Sequence, residues 1–326
     1  MKKDVPALDK KDFLILFELE QDSCQSLNEI AKKVLLSKET VFHRIKRLEK
    51  SGIIKKYITA IDVFMLGYRY HHILLKFSNT KPAIEREIVL SLKGSRFVAW
   101  LTVCEGYWDV NLTVATKNDS ELTSFLNAFL EKYGDFISEK QIFIGTEIHY
   151  FKRSFLTGKE AGEVVSITGK KKIELDEKDN DLLKVLSSES RMPAVQLAQK
   201  LESTPRVVNY RIKKLKEKEI ILDMRIMTDF AKLGYKFYKI WFSLKGMDGK
   251  RWQKLLSYCR KTEMIIWATK LIGYYDFSIE MEVKDVNEFR SVLEGIKELF
   301  SENINRHESL LMFSEEKMTH LPGSRV

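Results

Sequence analysis

Cysteine is scarce: three in 326 residues, Cys24, Cys104 and Cys259. They lie far apart, no CxxC occurs, and no two hold equivalent places in the internal repeat described below. A disulfide framework and a cysteine-built zinc site are therefore not expected. Also missing is any apolar run near the roughly 20 residues that span a bilayer. The Met1-Lys2-Lys3-Asp4 start is not followed by an apolar stretch, so a cytoplasmic chain without membrane contact is expected. No nucleophile–base pair, glycine-rich phosphate loop or metal-ligand spacing can be found. Catalytic and metal-binding residues are accordingly assigned to none, and no cofactor is expected.

What is present is ordinary in amount. Hydrophobic residues make up 44% and charged residues 31% of the chain, as in soluble globular proteins. The length suffices for two to four domains. A net charge of +9 leans towards a polyanionic partner, but only the placement of the cations can give that weight.

The order of the residues is the informative part, because the chain contains itself twice. Leu8-Asp9-Lys10-Lys11-Asp12 returns as Leu175-Asp176-Glu177-Lys178-Asp179, an offset of 176 − 9 = 167 residues. The same offset, without a gap, carries Arg44-Ile45-Lys46 onto Arg211-Ile212-Lys213 and Leu66-Gly67-Tyr68 onto Leu233-Gly234-Tyr235. It still holds for Trp100 and Trp267, and for Gly106-Tyr107 with Asp109 against Gly273-Tyr274 with Asp276. A period this long is a duplicated domain pair rather than a solenoid unit.

Each copy opens with three short helices. Asp9 is an N-cap with Asp12 three residues on, and Phe13, Leu16 and Leu19 follow at helical spacing. Ser26-Leu27-Asn28-Glu29 is a capping box for a second helix with Ile30, Ala31 and Val34 inward. Ser37 caps a third that runs to Ser51, where Gly52 suits a left-handed cap. Two helices joined by so short a turn form a helix-turn-helix. Val41, Ile45 and Leu48 make the inward stripe of the third helix. Its opposite face shows Glu39, Phe42, His43, Lys46 and Lys50, with Lys38, Arg44 and Arg47 at the edges. Such a face enters the major groove while neighbouring cations meet phosphates. The alternative is a merely solvated charged face, which the short turn and the caps disfavour.

In the second copy, Thr204 and Pro205 open the equivalent helix and Val208, Ile212 and Leu215 form its stripe. Arg206, Asn209, Tyr210 and Lys213 face outward, flanked by Arg211, Lys214 and Lys216. Asparagine pairs bidentately with adenine and arginine with guanine, so Asn209 and Arg206 are candidate base readers. The outward residues differ between the copies while the stripe persists, as in two heads reading different sequences. Glu219 in place of the cap glycine allows the alternative that the second head has drifted.

Beyond each helical unit an extended segment, Ile53 to Asp62 in the first copy, leads into a different period. Ile73, Leu75 and Phe77 alternate as a strand, Ala83 to Leu92 is a helix, and Phe97 to Val103 is a strand. Glu105-Gly106 is a turn, and Trp108, Val110, Leu112 and Val114 alternate as the hairpin partner. A helix with Leu122, Phe125, Leu126 and Phe129, then a strand over Gln141 to Tyr150, complete βαββαβ, a ferredoxin-like order. Trp100 and Trp267 read as core. Gly106 and Gly273 read as turn glycines with positive φ, a role compatible with touching a ligand. Asp109 and Asp276 either cap that turn or face a ligand.

On these residues the chain resembles the leucine-responsive regulator family, Lrp/AsnC. The carrying segments are Leu8 to Asp12, Arg44-Ile45-Lys46-Arg47-Leu48-Glu49, Gly52-Ile53-Ile54, and the turns Gly106-Tyr107-Trp108-Asp109 and Gly273-Tyr274-Tyr275-Asp276. The resemblance covers nearly the whole chain, twice. It implies double-stranded DNA as partner, a homo-oligomer, and an amino-acid-like effector held between sheet domains. Effector contacts would fall to Glu105, Gly106, Tyr107 and Asp109, and to Gly273, Tyr274 and Asp276. The turns differ, Cys104-Glu105 against Leu271-Ile272, which puts two equivalent effector sites in doubt.

The expected fold is thus α+β: a tandem repeat of a winged-helix-type helix-turn-helix followed by a ferredoxin-like βαββαβ domain. The boundaries are 1–60 and 61–156, a linker over 157–172, then 173–228 and 229–326. The expected function is a sequence-specific DNA-binding transcriptional regulator, one chain acting as a pseudo-dimer with two unlike heads. DNA contacts fall to Lys38, Glu39, Phe42, His43, Arg44, Lys46 and Arg47, and to Arg206, Asn209, Tyr210, Arg211, Lys213 and Lys214. A low-specificity architectural DNA binder is one alternative. A fused sirohaem-decarboxylase-like enzyme is another, but its tetrapyrrole-pocket arginines and paired histidines find no match here.

Overall fold

A computed structural model describes residues 7–159 and 164–323. Residues 160–163 of the expected linker, and both chain ends, lie outside the described residues. The first copy runs α1 (Lys10–Gln21), α2 (Leu27–Val34), α3 (Lys38–Lys50), β1 (Ile54–Ile61), β2 (Arg69–Phe77), α4 (Pro82–Gly94), β3 (Val98–Glu105), β4 (Val110–Thr116), α5 (Asp119–Tyr133) and β5 (Ile137–Tyr150). A short strand, β6 (Val165–Ile167), stands inside the expected linker. The second copy runs α6 (Glu177–Leu186), α7 (Ala194–Lys200), α8 (Pro205–Glu217), β7 (Ile221–Thr228), β8 (Lys236–Leu244), α9 (Gly249–Lys261), β9 (Ile265–Ile272), β10 (Phe277–Val283), α10 (Val286–Phe300) and β11 (Ile304–Met318). No helix among the described residues is long and apolar enough to cross a membrane.

The elements gather into two units, and each unit takes its parts from both copies. The helical unit holds α1–α3 and α6–α8. The capping boxes form as expected, Asp9 with Asp12 and Ser26 with Glu29, each satisfying amide groups that a helix start leaves without partners. Ser37 and Thr204 cap α3 and α8 through the amides of Thr40 and Val207. Gly52 ends α3 at φ 71°, and Glu219 adopts the same left-handed turn after α8 at φ 57°. The extended segments behind the helices, read singly in the sequence, pair with each other: β1 and β7 form an antiparallel ladder. Ile58 faces Arg225 in that ladder, and the two are repeat mates. Ser23 Oγ likewise meets its own mate, Ser190 Oγ, at 3.3 Å. A pseudo-two-fold axis therefore passes between these pairs. The symmetry breaks beside it, where Arg153 pairs with buried Glu20 at 3.0 Å and Lys152 with Asp223 at 3.2 Å. The mates of Glu20 and Asp223 are Ser187 and Lys56, so no second copy of this network exists.

The sheet unit is a closed barrel. Each copy contributes a four-stranded antiparallel sheet of ferredoxin-like order, β5-β2-β4-β3 and β11-β8-β10-β9. β3 pairs with β11 and β9 with β5, which joins the two sheets at both edges. Closure leaves neither sheet with an exposed edge to template aggregation. On the outer face, Ile73, Leu75, Leu101, Val110, Leu112 and Val114 pack beneath α4 and α5, against Ile88, Leu92, Phe125 and Phe129. The other face of each strand turns inward. All seven residues of β4 are buried, including Asn111 and Thr113, although the alternation alone reads as a half-exposed strand.

Candidate nucleic-acid interface

The helices α3 and α8 each turn an apolar stripe inward and a charged face outward. On α3, Val41, Ile45 and Leu48 are buried, while Lys38, Glu39, Phe42, His43, Lys46 and Arg47 are exposed. On α8, Val208 and Leu215 are buried and Ile212, the third residue of the expected stripe, is only half-buried, while Arg206, Asn209, Tyr210, Lys213 and Lys214 are exposed. Phe42 packs edge-on against His43, and the Lys46 ammonium stands 6.0 Å above the Phe42 ring, so the three form one amphipathic patch. Lys46 also bridges to Glu49 at 2.8 Å.

Arg44 and Arg211 are held differently from the other candidates. Arg44 Nη1 donates to both Asp9 carboxylate oxygens at 2.8 Å and to Asp12 Oδ1 at 2.9 Å. Arg47 Nη2 donates to the other Asp12 oxygen at 2.6 Å. Arg211 repeats the arrangement with Asp176 and Asp179. These arginines brace each reading helix against the capped start of the first helix of its copy. The Arg44 hydrogen bond holds the Asp9 carboxyl below the usual carboxylate range, and Arg211 does the same to Asp176.

A groove of about 530 Å³ runs beside α3. Leu27, Phe42 and Lys46 line one side and Tyr57, Arg191 and Met192 another. The Arg191 guanidinium lies 5.3 Å from the Tyr57 ring centre, and Tyr57 donates to Glu49 at 2.6 Å. Arg191 and Met192 come from the second copy, which is why no local sequence signal marks the groove. The mates of Phe42 and Arg191 are Asn209 and Cys24, so the two reading helices have unlike surroundings.

The glycine turns of the barrel are structural at their core. Gly106 and Gly273 adopt φ of 140° and 145°. A Cβ on Gly106 would come within 2.8 Å of Leu310 Cδ2, and one on Gly273 within 3.2 Å of Phe143 Cδ1. Asp109 Oδ2 accepts the Phe77 amide at 2.7 Å, and Asp276 Oδ2 the Leu244 amide at 2.7 Å. Both carboxylates thus hold the end of the first barrel strand of their copy, β2 and β8, rather than the glycine turn itself. Glu105, Tyr107 and Tyr274 are exposed; Tyr107 donates to Glu139, and Tyr274 lies under the Arg306 guanidinium. Among the described residues no cluster of His, Cys, Asp and Glu is arranged to hold a metal ion.

The winged helix-turn-helix DNA-binding family profile matches twice, at residues 8–55 and 175–221. The HTH-type transcriptional regulator FL11 of Pyrococcus abyssi is 33% identical over 122 residues, 37% of this chain and 79% of that protein. The regulator LrpA of Pyrococcus horikoshii is 29% identical over 120 residues, again 37% of this chain and 84% of that protein. Each relative is thus matched over most of its length by less than half of this chain. Among solved structures, the siroheme decarboxylase NirDL superposes with a TM-score of 0.62 over 96% of this chain and 94% of that one. At 13% identity that likeness concerns the doubled fold.

Proposed function

The chain belongs to the Lrp/AsnC family of helix-turn-helix transcriptional regulators, and we propose that it reads an asymmetric DNA site with two unlike heads. It is a DNA-binding regulator. The observation that carries the finer reading is the pair α3 and α8: each sets a cation-rich exposed face over a buried stripe, with different readers on each face. Glu39, Phe42 and His43 would read bases in the first head, and Arg206, Asn209 and Tyr210 in the second. Lys38, Lys46, Arg47, Lys213 and Lys214 would neutralise phosphates. Arg44 and Arg211 would act through position, by fixing the angle of each reading helix.

The same reading makes the chain a non-enzymatic regulator that works as a homo-oligomer of fused pseudo-dimers. Regulation by an amino-acid-like effector would act by favouring one arrangement of the sheet domains. The exposed Glu105, Tyr107 and Tyr274 are the turn residues with side chains disposed for such a contact.

A salt titration of duplex binding tests this. Replacing Lys46 or Lys213 with alanine should weaken binding about equally on all sequences and reduce the salt slope by about one. Replacing Asn209 should cost about 1–3 kcal/mol on the preferred site alone. An Asn209 effect spread equally over all sequences would favour the architectural alternative.

A further inference from the structure

Of the arginines beside α3 and α8, Arg44, Arg47 and Arg211 are neutralised by carboxylates of their own copy. Arg191, which the second copy brings to the groove beside α3, is not. Among the described residues its guanidinium makes no ion pair with a carboxylate, and it is held by Tyr57 alone. Nη1 donates to the phenol oxygen at 3.3 Å, and the guanidinium lies 5.3 Å from the ring centre.

The two carboxylates that line the groove are committed elsewhere. Glu49 accepts from Tyr57 at 2.6 Å and from Lys46 at 2.8 Å, and Glu189 pairs with Lys200 at 3.4 Å. The Arg191 fork therefore keeps most of its N–H groups for a ligand. It is also set in place beforehand. The Ser190 amide donates to the Tyr57 carbonyl at 3.1 Å, and Tyr57 and Glu189 form a single β-bridge, so the segment carrying Arg191 is pinned to β1. A half-buried side chain fixed in this way gives up little freedom on binding.

The groove has apolar walls, Leu27, Phe42, Ile45 and Met192, and carries cations at Lys46 and Arg191. That mixture suits a sugar–phosphate strand, whose sugars are apolar and whose phosphates are anionic. A planar guanidinium matches two phosphate oxygens at once. We propose that Arg191 takes a DNA phosphate beside the half-site read by α3, so that the second copy completes the interface of the first head. This rests on the reading of α3 as a DNA-reading helix. The contact is single. The repeat mates of Arg191, Tyr57 and Glu49 are Cys24, Met224 and Lys216, and Cys24 Sγ lies 3.2 Å from Met224 Sδ, so no arginine–tyrosine pair stands beside α8.

The test is a salt titration of binding by the full chain, read by fluorescence anisotropy on a duplex selected from a random pool. Arg191→Gln keeps a planar polar end without the charge. It should weaken binding about tenfold and lower the salt slope by about one. Arg191→Lys should keep the slope yet lose affinity, because an ammonium lacks the fork. Ethylation interference with Arg191→Gln should lose one phosphate, within the half-site that Asn209→Ala leaves unchanged. Circular dichroism checks folding, and Arg191→Ala takes over if Arg191→Gln does not fold. An unchanged slope in the folded variant while Lys46→Ala lowers it would overturn the contact alone. So would an interference pattern that keeps every phosphate, or one that loses a phosphate in the other half-site. An unchanged slope in Lys46→Ala as well would overturn the reading of α3 itself.

Discussion

Glu219 shows how far a single residue can be read. It stands where the first copy has Gly52, and both adopt positive φ, at 57° and 71°. A side chain in the left-handed region costs roughly 1–2 kcal/mol that glycine avoids. Glu219→Gly should therefore stabilise the chain by about 1 kcal/mol, measured as a raised midpoint in denaturant. That the helix ends in the same conformation without its glycine also weakens drift as an explanation for the replacement. Arg44 and Arg211 teach the opposite lesson. As cations on a reading helix they are indistinguishable in sequence from phosphate contacts, yet both are drawn into carboxylates 32 and 35 residues upstream. Asp9 and Asp176 have lowered pKa values in the folded state, so their contribution is complete above the ordinary aspartate range and lost as pH falls through the folded values. Acid unfolding followed by circular dichroism should steepen below about pH 4 in the native chain. The Asp9→Asn, Asp176→Asn variant should show a shallower decline over that range.

Among the elements, the helices and hairpins within each copy were legible, the short strand β6 inside the expected linker was not, and neither was what pairs across the copies. The capped helices, the inward stripes and the hairpin at Gly106 follow from spacing and residue type within a few positions. The β1–β7 ladder and the barrel do not, because their partners lie more than a hundred residues apart. β4 illustrates the cost. Its alternation of Val110, Leu112 and Val114 with Asn111 and Thr113 has the period of a half-solvated strand. The polar face is instead turned into the barrel, and strand periodicity cannot distinguish a polar interior from water. The DNA-contact candidates were legible as exposed faces, while the groove beside α3 was not, since it combines both copies. Gly106 tests the closure: its φ of 140° disfavours any side chain, and a Cβ would have to push aside the Leu310 side chain of β11. Gly106→Ala should cost about 2 kcal/mol or more, seen as a lower midpoint in the emission of neighbouring buried Trp108.

The molecule as a whole is a pseudo-dimer that has used its covalent link to become asymmetric. A dimer of identical chains must place the same residues on both sides of its axis, and its DNA site mirrors that symmetry. Duplication within one chain lifts the constraint. Here Phe42 answers Asn209, Glu20 answers Ser187, and His72–Thr113 answers Lys239–Glu280, while the buried stripes that hold the fold are kept. The divergence lies in the exposed reading faces and where the two copies meet, where a symmetric dimer would be most restricted. On the proposed function, the two heads read different half-sites. Selection of bound duplexes from a random pool, run with the native chain and with Arg206→Ala, Asn209→Ala, tests it most directly. An asymmetric motif should emerge, one half of which relaxes in the variant while the other is unchanged. A palindromic motif that the substitutions leave untouched would contradict it.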